Sequence, residues 1–380
     1  MTDVDQVERQ NRLALRRAAP ALLGYAGVRA LGVLVLALWS AATGKSWLTL
    51  LTARWDSLWY TRVAEHGYGW SVTLPDGGVH SNLAFFPLLP WLERLVSALT
   101  PLSYGQAGMV VSWLASLAAA WGIFAVGDHV SGRRTGICLA VLWGALPIGV
   151  VASMAYSEAL FTALAAWGLY AVLRRHWVTA GLLAALAGLT RPVGAAVVAA
   201  VWVAAALWVR RERRVTWRVV AGALLAPAGA AAYVLWVGHR TGDWLFGYLD
   251  VQGQWGNGFD GGLAFARFIG DKFTSVPGAL AGTGLIVGVA LVLWLYVTGV
   301  RQRQPVPLLV YTGIVLALAL CSSGYFGSKP RLMLPAFPLL LPLAVALARR
   351  RTTGPVWVLG GLALVSAVYG AFWLNGSGPP

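Results

Sequence analysis

The chain has 380 residues, of which 58% are hydrophobic, only 11% are charged and 20 are tryptophan. Because about 25% of the residues in an average soluble protein are charged, this composition excludes a soluble globular protein and predicts a polytopic α-helical membrane protein. The net charge of +15 does not predict a nucleic-acid partner, since the basic residues fall in short clusters between long apolar runs. Cys138 and Cys321 lie far apart in apolar segments and form no disulfide or metal pattern.

The N-terminal residues 1–19 form a polar arm that predicts a cytoplasmic amphipathic helix. The third to fifth of the apolar segments that follow are short for a hydrocarbon core about 30 Å thick, and we expect them to tilt or to enter it only partly. A cytoplasmic N-terminus places every basic cluster on the cytoplasmic side, as the positive-inside rule requires. The eleven segments predicted to span the membrane are 20–42, 106–127, 136–153, 158–173, 177–189, 193–209, 218–238, 276–299, 306–323, 332–348 and 355–374.

Two long polar segments interrupt the apolar pattern, and the same orientation places both outside. The first polar segment is residues 43–105, and the second polar segment is residues 239–275. Within the first, residues 54–68 and 87–99 have helical spacing and the apolar or aromatic stripes typical of helices that lie in the membrane interface. The sequence has no internal repeat and no low-complexity linker, so we expect residues 1–380 to form a single domain.

Asp56 lies in the first polar segment between Trp55 and Trp59, where an acid has no evident packing role. One interpretation is an interfacial acid paired with a nearby arginine, but Arg54 and Arg62 are two and six residues away and poorly placed on one helix. The other is a catalytic base, because an acid held beside aromatic rings at the membrane surface can take a proton from a sugar hydroxyl. The residues leave both interpretations open.

Basic side chains on the predicted external side are candidates for binding a lipid-linked phosphate. Arg191 lies between two apolar segments with no loop to solvate it, and Lys329 and Arg331 lie at the mouth of the segment 332–348. Ionisable residues at membrane depth are candidates for function, and arginine binds phosphate through a bidentate fork. The alternative is ordinary snorkelling to lipid phosphate. Glu158 opens the segment 158–173 and is expected to pair with one of these arginines or to contact the acceptor.

A divalent cation is left open as a cofactor, and no other cofactor is predicted. His66, His80 and Asp76 supply the right ligand types, but their spacing is not that of a metal site. We therefore expect no resident metal at these residues.

The motifs of the first polar segment resemble those of the GPI mannosyltransferase 2 (PIG-V) family. They are Trp55-Asp56, Tyr60, Ala64-Glu65-His66-Gly67-Tyr68 and Ala84-Phe85-Phe86-Pro87-Leu88, and Tyr156-Ser157-Glu158, Arg191 and Pro330-Arg331 are similar to later motifs of that family. The resemblance implies the GT-C fold, a bundle of about 11 transmembrane helices with interfacial helices in the first external loop. It also implies a polyprenyl-phosphate-mannose donor and a catalytic acid, which is Asp56 here. The residues expected to contact the sugar or the acceptor, or to support the site, are Trp55, Tyr60, His66, Tyr68, Phe85, Phe86, Tyr156 and Glu158.

The sequence departs from that family at two places. Gly69-Trp70 replaces acids expected shortly after Tyr68, and Leu89 replaces an aromatic residue. The composition is also typical of a GC-rich bacterium. We therefore expect a plasma-membrane protein of an actinobacterium, and such a cell makes no GPI anchors. The donor class therefore carries over better than the acceptor.

Together these features predict an inverting transfer of mannose from a polyprenyl phosphate to a hydroxyl of a lipid-linked glycan or other acceptor at the outer membrane face. Asp56 would be the general base, and Arg191, Arg331 and Lys329 would bind the donor phosphate. The alternative class is a transporter or lipid flippase without transferase activity. Such proteins usually have paired repeats and polar groups near the bilayer midplane, and neither is evident here. A non-catalytic membrane scaffold is the third class, and in it Asp56 would be replaceable.

Overall fold

A computed structural model describes residues 3–75, 77–351 and 353–379 of the chain. This part is almost entirely helical, with one antiparallel hairpin of β1 (Ser71–Thr73) and β2 (Val79–Ser81). The helices are α1 Asp3–Ala42, α2 Trp47–Thr52, α3 Asp56–His66, α4 Leu88–Leu99, α5 Tyr104–Ser131, α6 Arg133–Gly144, α7 Ser157–Leu173, α8 Trp177–Gly188, α9 Ala195–Glu212, α10 Trp217–Leu225, α11 Ala228–Thr241, α12 Gly247–Gln254, α13 Leu263–Gly270, α14 Val276–Arg301, α15 Val306–Cys321, α16 Lys329–Met333, α17 Leu341–Ala348 and α18 Thr353–Asn375.

The eleven apolar segments predicted from the sequence all appear as helical segments in the described residues. Six are long and apolar enough to cross a bilayer, counting α10 with α11 as one. Two more are bent pairs. In the first pair, α6 meets the 3₁₀ helix Pro147–Ser153 at an angle of 83°. In the second pair, the segment Phe326–Met333, which contains α16, meets the segment Phe337–Ala348, which contains α17, at an angle of 76°. The remaining three are the shorter helices α7, α8 and α15. The prediction of an all-α polytopic membrane protein is therefore confirmed.

An arginine within the first long helix stabilises the first of the two bends. The break after α6 leaves main-chain carbonyls without helical partners, and Pro147 begins the next turn. Arg29 of α1 donates to the carbonyls of Gly144 and Gly149, and Ser366 of α18 donates to that of Leu146 at 2.7 Å. In hydrocarbon an unpaired carbonyl costs several kcal/mol, so these donors allow the break to lie inside the bundle.

Close approach of small residues sets the packing of α8 against α10. A Cβ added at Gly181 would meet the main-chain carbonyl of Gly222, and one added at Gly222 would meet that of Trp177. Larger side chains at either glycine would separate the two helices. Membrane helices associate by this kind of backbone contact, because lipid supplies no hydrophobic force between them.

The basic clusters at the ends of several helices gather at one end of the bundle. Arg17 pairs with Asp128 at 2.8 Å, and Arg133 donates to the main-chain carbonyl of Arg17. Arg134 donates to the carbonyl of Arg350. Because α1 is continuous from Asp3 to Ala42, the described part of the predicted arm and the first predicted span belong to one helix; residues 1 and 2 of the arm lie outside the described residues.

The two polar segments lie at the opposite end and contact each other. Arg54 donates to the carbonyl of Leu374 at 2.7 Å, which joins the first polar segment to the end of α18. The indole of Trp255 in the second polar segment donates to the carbonyl of Ser81 in the first at 3.0 Å. Asp260 donates its main-chain N–H to the carbonyl of Cys321 at 3.1 Å. These contacts bring the two polar segments and the end of α15 to one place.

The two interfacial helices expected in the first polar segment are α3 and α4, which nearly match the predicted ranges 54–68 and 87–99. Helix α4 buries Leu89 and Glu93 and exposes Trp91. Glu93 has no exposed surface, its carboxyl lies against Gly108 of α5, and within the described residues neither carboxyl oxygen has a hydrogen-bond partner. Burial raises the pKa of Glu93 well above its ordinary value.

This buried acid makes stability depend on pH. Between the ordinary pKa and the raised one, the folded protein retains a proton that the unfolded chain has released, so stability falls as pH rises through that window. We expect Glu93→Gln to remove this dependence, so that the variant gains in melting temperature over the wild type at pH 8 and gains less at pH 5. Thermal unfolding in detergent at both values measures the effect, with the exposed Glu65→Gln as control. Equal gains at both pH values would contradict it.

Candidate functional site

A cavity of about 520 Å³ opens where the two polar segments meet the ends of α15 and α16. Four predicted site residues with charged side chains line it: Asp56, Arg191, Lys329 and Arg331. They come from three separate regions of the chain, since Lys329 and Arg331 both lie on α16, and the fold brings together groups that are up to 275 residues apart. The cavity also has an aromatic side, to which Trp55, Tyr60, Phe85 and Phe86 contribute.

The local backbone fixes Asp56 at the start of α3. Trp55 precedes the helix with φ 53° and ψ −122°, a conformation that costs a non-glycine residue of order 1–3 kcal/mol. The Ser57 hydroxyl accepts from the N–H of Arg54 at 2.9 Å and donates to the carbonyl of Arg54 at 2.6 Å, which closes the turn. The Arg54 guanidinium lies 4.0 Å over the Trp55 ring. The first turn of a helix favours a carboxylate, so this strained turn presents Asp56 where an anion is stabilised.

Asp56 belongs to a network of two acids and two arginines. Arg331 Nη1 lies 2.6 Å from Asp56 Oδ2, and Arg331 Nε lies 3.4 Å from Glu158 Oε1. Arg191 Nη1 lies 2.6 Å from the same Glu158 oxygen. The formal charges cancel, which a network this deeply buried requires. Removing any one member leaves an uncompensated charge and is expected to cost about 3–5 kcal/mol of stability.

The burial of these side chains separates their roles. The Glu158 side chain is 1% exposed and lies behind the two arginines, whereas the Asp56 side chain is 25% exposed and lines the cavity. Asp56 is therefore the acid of the network that can reach a bound ligand, and Glu158 holds Arg191 and Arg331 in place. Tyr156 adds to this support, since its hydroxyl accepts from the N–H of Asp56 at 3.3 Å and its ring lies 5.1 Å from the Arg331 guanidinium.

Tyr60 extends the network through a hydroxyl pair. Its phenol lies 2.7 Å from the Ser157 hydroxyl, to which Arg191 donates at 3.1 Å. Burial raises the pKa of Tyr60, so the phenol keeps its proton at neutral pH. A protonated phenol one helical turn after Asp56 can donate to a ligand oxygen or to Ser157, and it cannot act as a second base.

Lys329 lines the cavity through a different set of contacts. Its ammonium donates to the carbonyls of Ala319 at 2.7 Å and Ser322 at 2.8 Å, at the end of α15. It also lies 4.6 Å from the ring centroid of Phe265 and 5.2 Å from that of Phe326. An ammonium has three donors, so one remains for a ligand anion.

Four of the predicted site residues do not line the cavity: Tyr156 and Glu158, which support the arginines, and His66 and Tyr68. His66 ends α3 with a side chain that is 69% exposed, and it contacts Glu65 at 3.5 Å. His66 is not among the residues that line the cavity, and its role toward the sugar or the acceptor stays a prediction. Tyr68 donates to the carbonyl of Phe85 at 2.8 Å and packs against Trp236, so it acts by positioning Phe85.

The described residues contain no group of three or more His, Cys, Asp or Glu side chains that could hold a metal ion. Asp76, named with His66 and His80 as a set of ligand types, lies outside the described residues. His80 stacks on Trp255 with the ring centroids 4.1 Å apart.

The sequence did not reveal the contribution of the second polar segment. Gln252, Trp255 and Asn257 line the cavity, and none was predicted as a site residue. A sequence pattern could have indicated them: two side-chain amides lie close to a tryptophan in a polar segment between two predicted spans. Only the folding of α12 against the first polar segment turns that stretch into a cavity wall.

No protein-family model matches the sequence, and no curated protein does. Solved structures match. The structure of ArnT from Cupriavidus metallidurans bound to undecaprenyl phosphate aligns with a TM-score of 0.55 and 18% identity, covering 88% of this chain and 63% of that chain. The structure of an Archaeoglobus fulgidus oligosaccharyltransferase in complex with zinc and sulfate aligns with a TM-score of 0.53 and 13% identity, covering 93% and 53%.

These likenesses concern the fold. The chain spans about three-fifths of the ArnT chain and about half of the oligosaccharyltransferase chain. Both neighbours are membrane proteins with the GT-C fold, and the present chain aligns with them over most of its length. The chain is thus an integral membrane protein with the GT-C fold, as the motifs of the first polar segment predicted.

Proposed function

We propose that the protein is a glycosyltransferase that moves mannose from a polyprenyl-phosphate-mannose donor to an acceptor hydroxyl, with inversion at the anomeric carbon. The observation that carries the proposal is the pairing of Asp56 with Arg331 on the wall of a cavity in a GT-C fold. A carboxylate and a guanidinium in contact supply the base and the anion-binding group that such a transfer needs. Mannose and the acceptor class rest on the resemblance to the PIG-V family.

The reaction assigns a role to each group. The acceptor oxygen attacks the anomeric carbon while its proton passes to the Asp56 carboxylate. The bond from the anomeric carbon to the phosphate oxygen breaks, and its electron pair leaves with the polyprenyl phosphate. Arg331 offsets the charge that grows on the leaving oxygen, with Arg191 and the third donor of Lys329 beside it.

The ion pair implies an order of events. In the free protein, Arg331 contacts Asp56 at 2.6 Å, so the guanidinium occupies the carboxylate oxygen that the acceptor would need. A lipid phosphate bound by Arg331 competes with Asp56 for the guanidinium and releases the carboxylate. The donor therefore binds first and prepares the base. The structure of ArnT with undecaprenyl phosphate supports a lipid phosphate as the ligand of this fold.

We place the site at the external face of a bacterial plasma membrane, with the N-terminus in the cytoplasm. The support is that the basic clusters gather at the end of the bundle opposite the cavity. The positive-inside rule makes that end cytoplasmic. Lipid-linked substrates then reach the cavity from the outer leaflet, and the acceptor is a lipid-linked glycan or another external hydroxyl.

Reconstitution tests the proposal. The purified protein in proteoliposomes is supplied with radiolabelled polyprenyl-phosphate mannose and a panel of octyl hexopyranosides as acceptors. We expect label in a mannosyl-octyl-hexoside, formed with inversion. Movement of the labelled lipid between leaflets without transfer would instead identify a flippase, and no reaction of either kind would overturn the proposal in favour of a scaffold.

A further inference from the structure

The cavity has an aromatic wall formed by three rings: Trp59, Phe85 and Trp255. Trp59 and Phe85 are parallel to within 2° with centroids 5.5 Å apart. Trp255 stands edge-on to both, at 4.7 Å from Trp59 and 5.4 Å from Phe85. Trp59 and Trp255 are only partly buried, and both line the cavity.

The position of Trp255 is fixed by contacts on the side away from the cavity. Its indole N–H donates to the carbonyl of Ser81 at 3.0 Å, and the His80 ring lies parallel to within 12° at 4.1 Å. A ring that is held by a hydrogen bond and a stacked neighbour loses little entropy when a ligand packs on it. The wall is therefore preorganised and does not depend on a ligand to assemble it.

Two side-chain amides border the wall. Gln252 donates to the carbonyl of Ala84 at 3.2 Å and to the Tyr248 hydroxyl at 2.9 Å, and its oxygen accepts from Asn257 at 2.9 Å. These bonds use both donors of Gln252 but only one donor of Asn257 within the described residues. Asn257 keeps an N–H and its carbonyl oxygen for a ligand, and both amides line the cavity.

Asp56 is adjacent to the wall on its own helix and contacts one of the cations. Trp59 is three residues after Asp56 on α3, so the two side chains are neighbours one helical turn apart. Arg331 contacts Asp56 from α16. In an in-line displacement the attacking oxygen approaches from the side opposite the leaving group. With the phosphate bound at Arg331, an acceptor that reaches the Asp56 carboxylate lies beside Trp59 and the rest of the aromatic wall.

We propose that the Trp59–Phe85–Trp255 wall, with Asn257 and Gln252 at its edge, binds a pyranose ring of the acceptor, an inference that rests on the proposed transferase function. The C–H face of a pyranose packs against the negative face of an aromatic ring, and its equatorial hydroxyls meet the amides. An apolar wall with a few fixed polar groups is the usual form of a specific small-molecule site. The acceptor is thus a hexoside, and the second polar segment selects it.

Kinetics of Trp255→Ala test the assignment. With an octyl hexopyranoside that the wild type uses, we expect the acceptor KM to rise about tenfold, while the KM for polyprenyl-phosphate mannose changes less than about twofold. Trp255→Phe keeps a ring and is expected to recover most of the loss. Trp244→Ala is the matched control, because Trp244 lies in the same polar segment, is exposed and does not line the cavity.

Binding without turnover separates this inference from the transferase proposal. Saturation-transfer difference NMR of the protein in nanodiscs is recorded with methyl glycosides of mannose, glucose and galactose. We expect signal at the ring C–H protons of at least one glycoside, lost in Trp255→Ala and kept in Trp244→Ala. Normal transfer with an unchanged acceptor KM in Trp255→Ala, or a rise in the donor KM alone, would overturn the subsite only. Absence of any transfer by the wild type would overturn the proposed function.

Discussion

Asp56→Asn is expected to slow sugar transfer by at least about 10²–10⁴-fold, which is the range that general-base assistance supplies. The amide has the shape of the carboxylate but cannot take the acceptor proton. The change also removes one negative charge beside Arg331, whose guanidinium is then free for a phosphate. We therefore expect undecaprenyl phosphate to bind the variant as tightly as the wild type or more tightly. Single-turnover transfer and native mass spectrometry of the lipid complex measure the two effects.

A matched control for this variant lies on the same helix. Glu65→Gln changes an exposed acid of α3 that contacts only His66 in the salt bridges of the described residues, and its transfer rate is expected to be that of the wild type. Asp56→Glu keeps the carboxylate but moves it, and we expect a rate between those of the wild type and Asp56→Asn. A wild-type rate in Asp56→Asn would rule out the base assignment.

Arg331→Lys is expected to lower turnover by about 10²–10³-fold, the loss found when one donor to a developing oxyanion is removed. The lysine keeps the positive charge that Asp56 and Glu158 require, so the protein should fold. It lacks the planar fork that contacts two acids at once and that can bind a phosphate through two donors. We also expect weaker binding of undecaprenyl phosphate, measured in the same lipid-binding assay.

The control for Arg331 is Arg240→Lys. Arg240 is an exposed arginine of the second polar segment that lies over the Trp236 ring and does not line the cavity. Its replacement is expected to leave both lipid binding and turnover unchanged. Arg331→Met tests the network itself, and we expect a lower melting temperature because it leaves Asp56 without its partner. Tight lipid binding with normal turnover in Arg331→Lys would remove the phosphate assignment.

The apolar pattern of the sequence was enough to predict the helical segments. Each predicted span is a helix or a bent pair, because in a bilayer every main-chain polar group needs a partner and a helix supplies most of them within its own segment. The bends were not predictable. The break before Pro147 depends on donors from α1 and α18, which lie far away in sequence. Hydropathy alone gives such a segment as one short span.

The candidate site was predictable as a set of residues but not as an arrangement. Asp56, Arg191 and Arg331 were recognised as candidates because a charged side chain near hydrocarbon is costly and is usually retained for a function. Their connection through Glu158, which contacts both arginines, depends on side-chain geometry that spacing does not encode. His66 was named from a motif, and a motif does not show that its side chain is exposed at the end of α3 and outside the cavity lining.

The wall residue Trp255 was missed for a different reason. It lies in a segment whose local sequence predicts only an external loop, and its partner Ser81 is 174 residues away. A tertiary hydrogen bond of this kind leaves no local signal in a single sequence. Lys329, by contrast, was predicted as a site residue, but its contacts with the carbonyls at the end of α15 became visible only in the folded chain.

A structure of the protein in nanodiscs with undecaprenyl phosphate, determined by electron cryomicroscopy, tests the central claim most directly. We predict phosphate density within hydrogen-bonding distance of the Arg331 guanidinium, with the Asp56 carboxylate turned away from that arginine and facing the aromatic wall. Phosphate bound among the basic clusters at the other end of the bundle, with the pair of Asp56 and Arg331 intact, would contradict it.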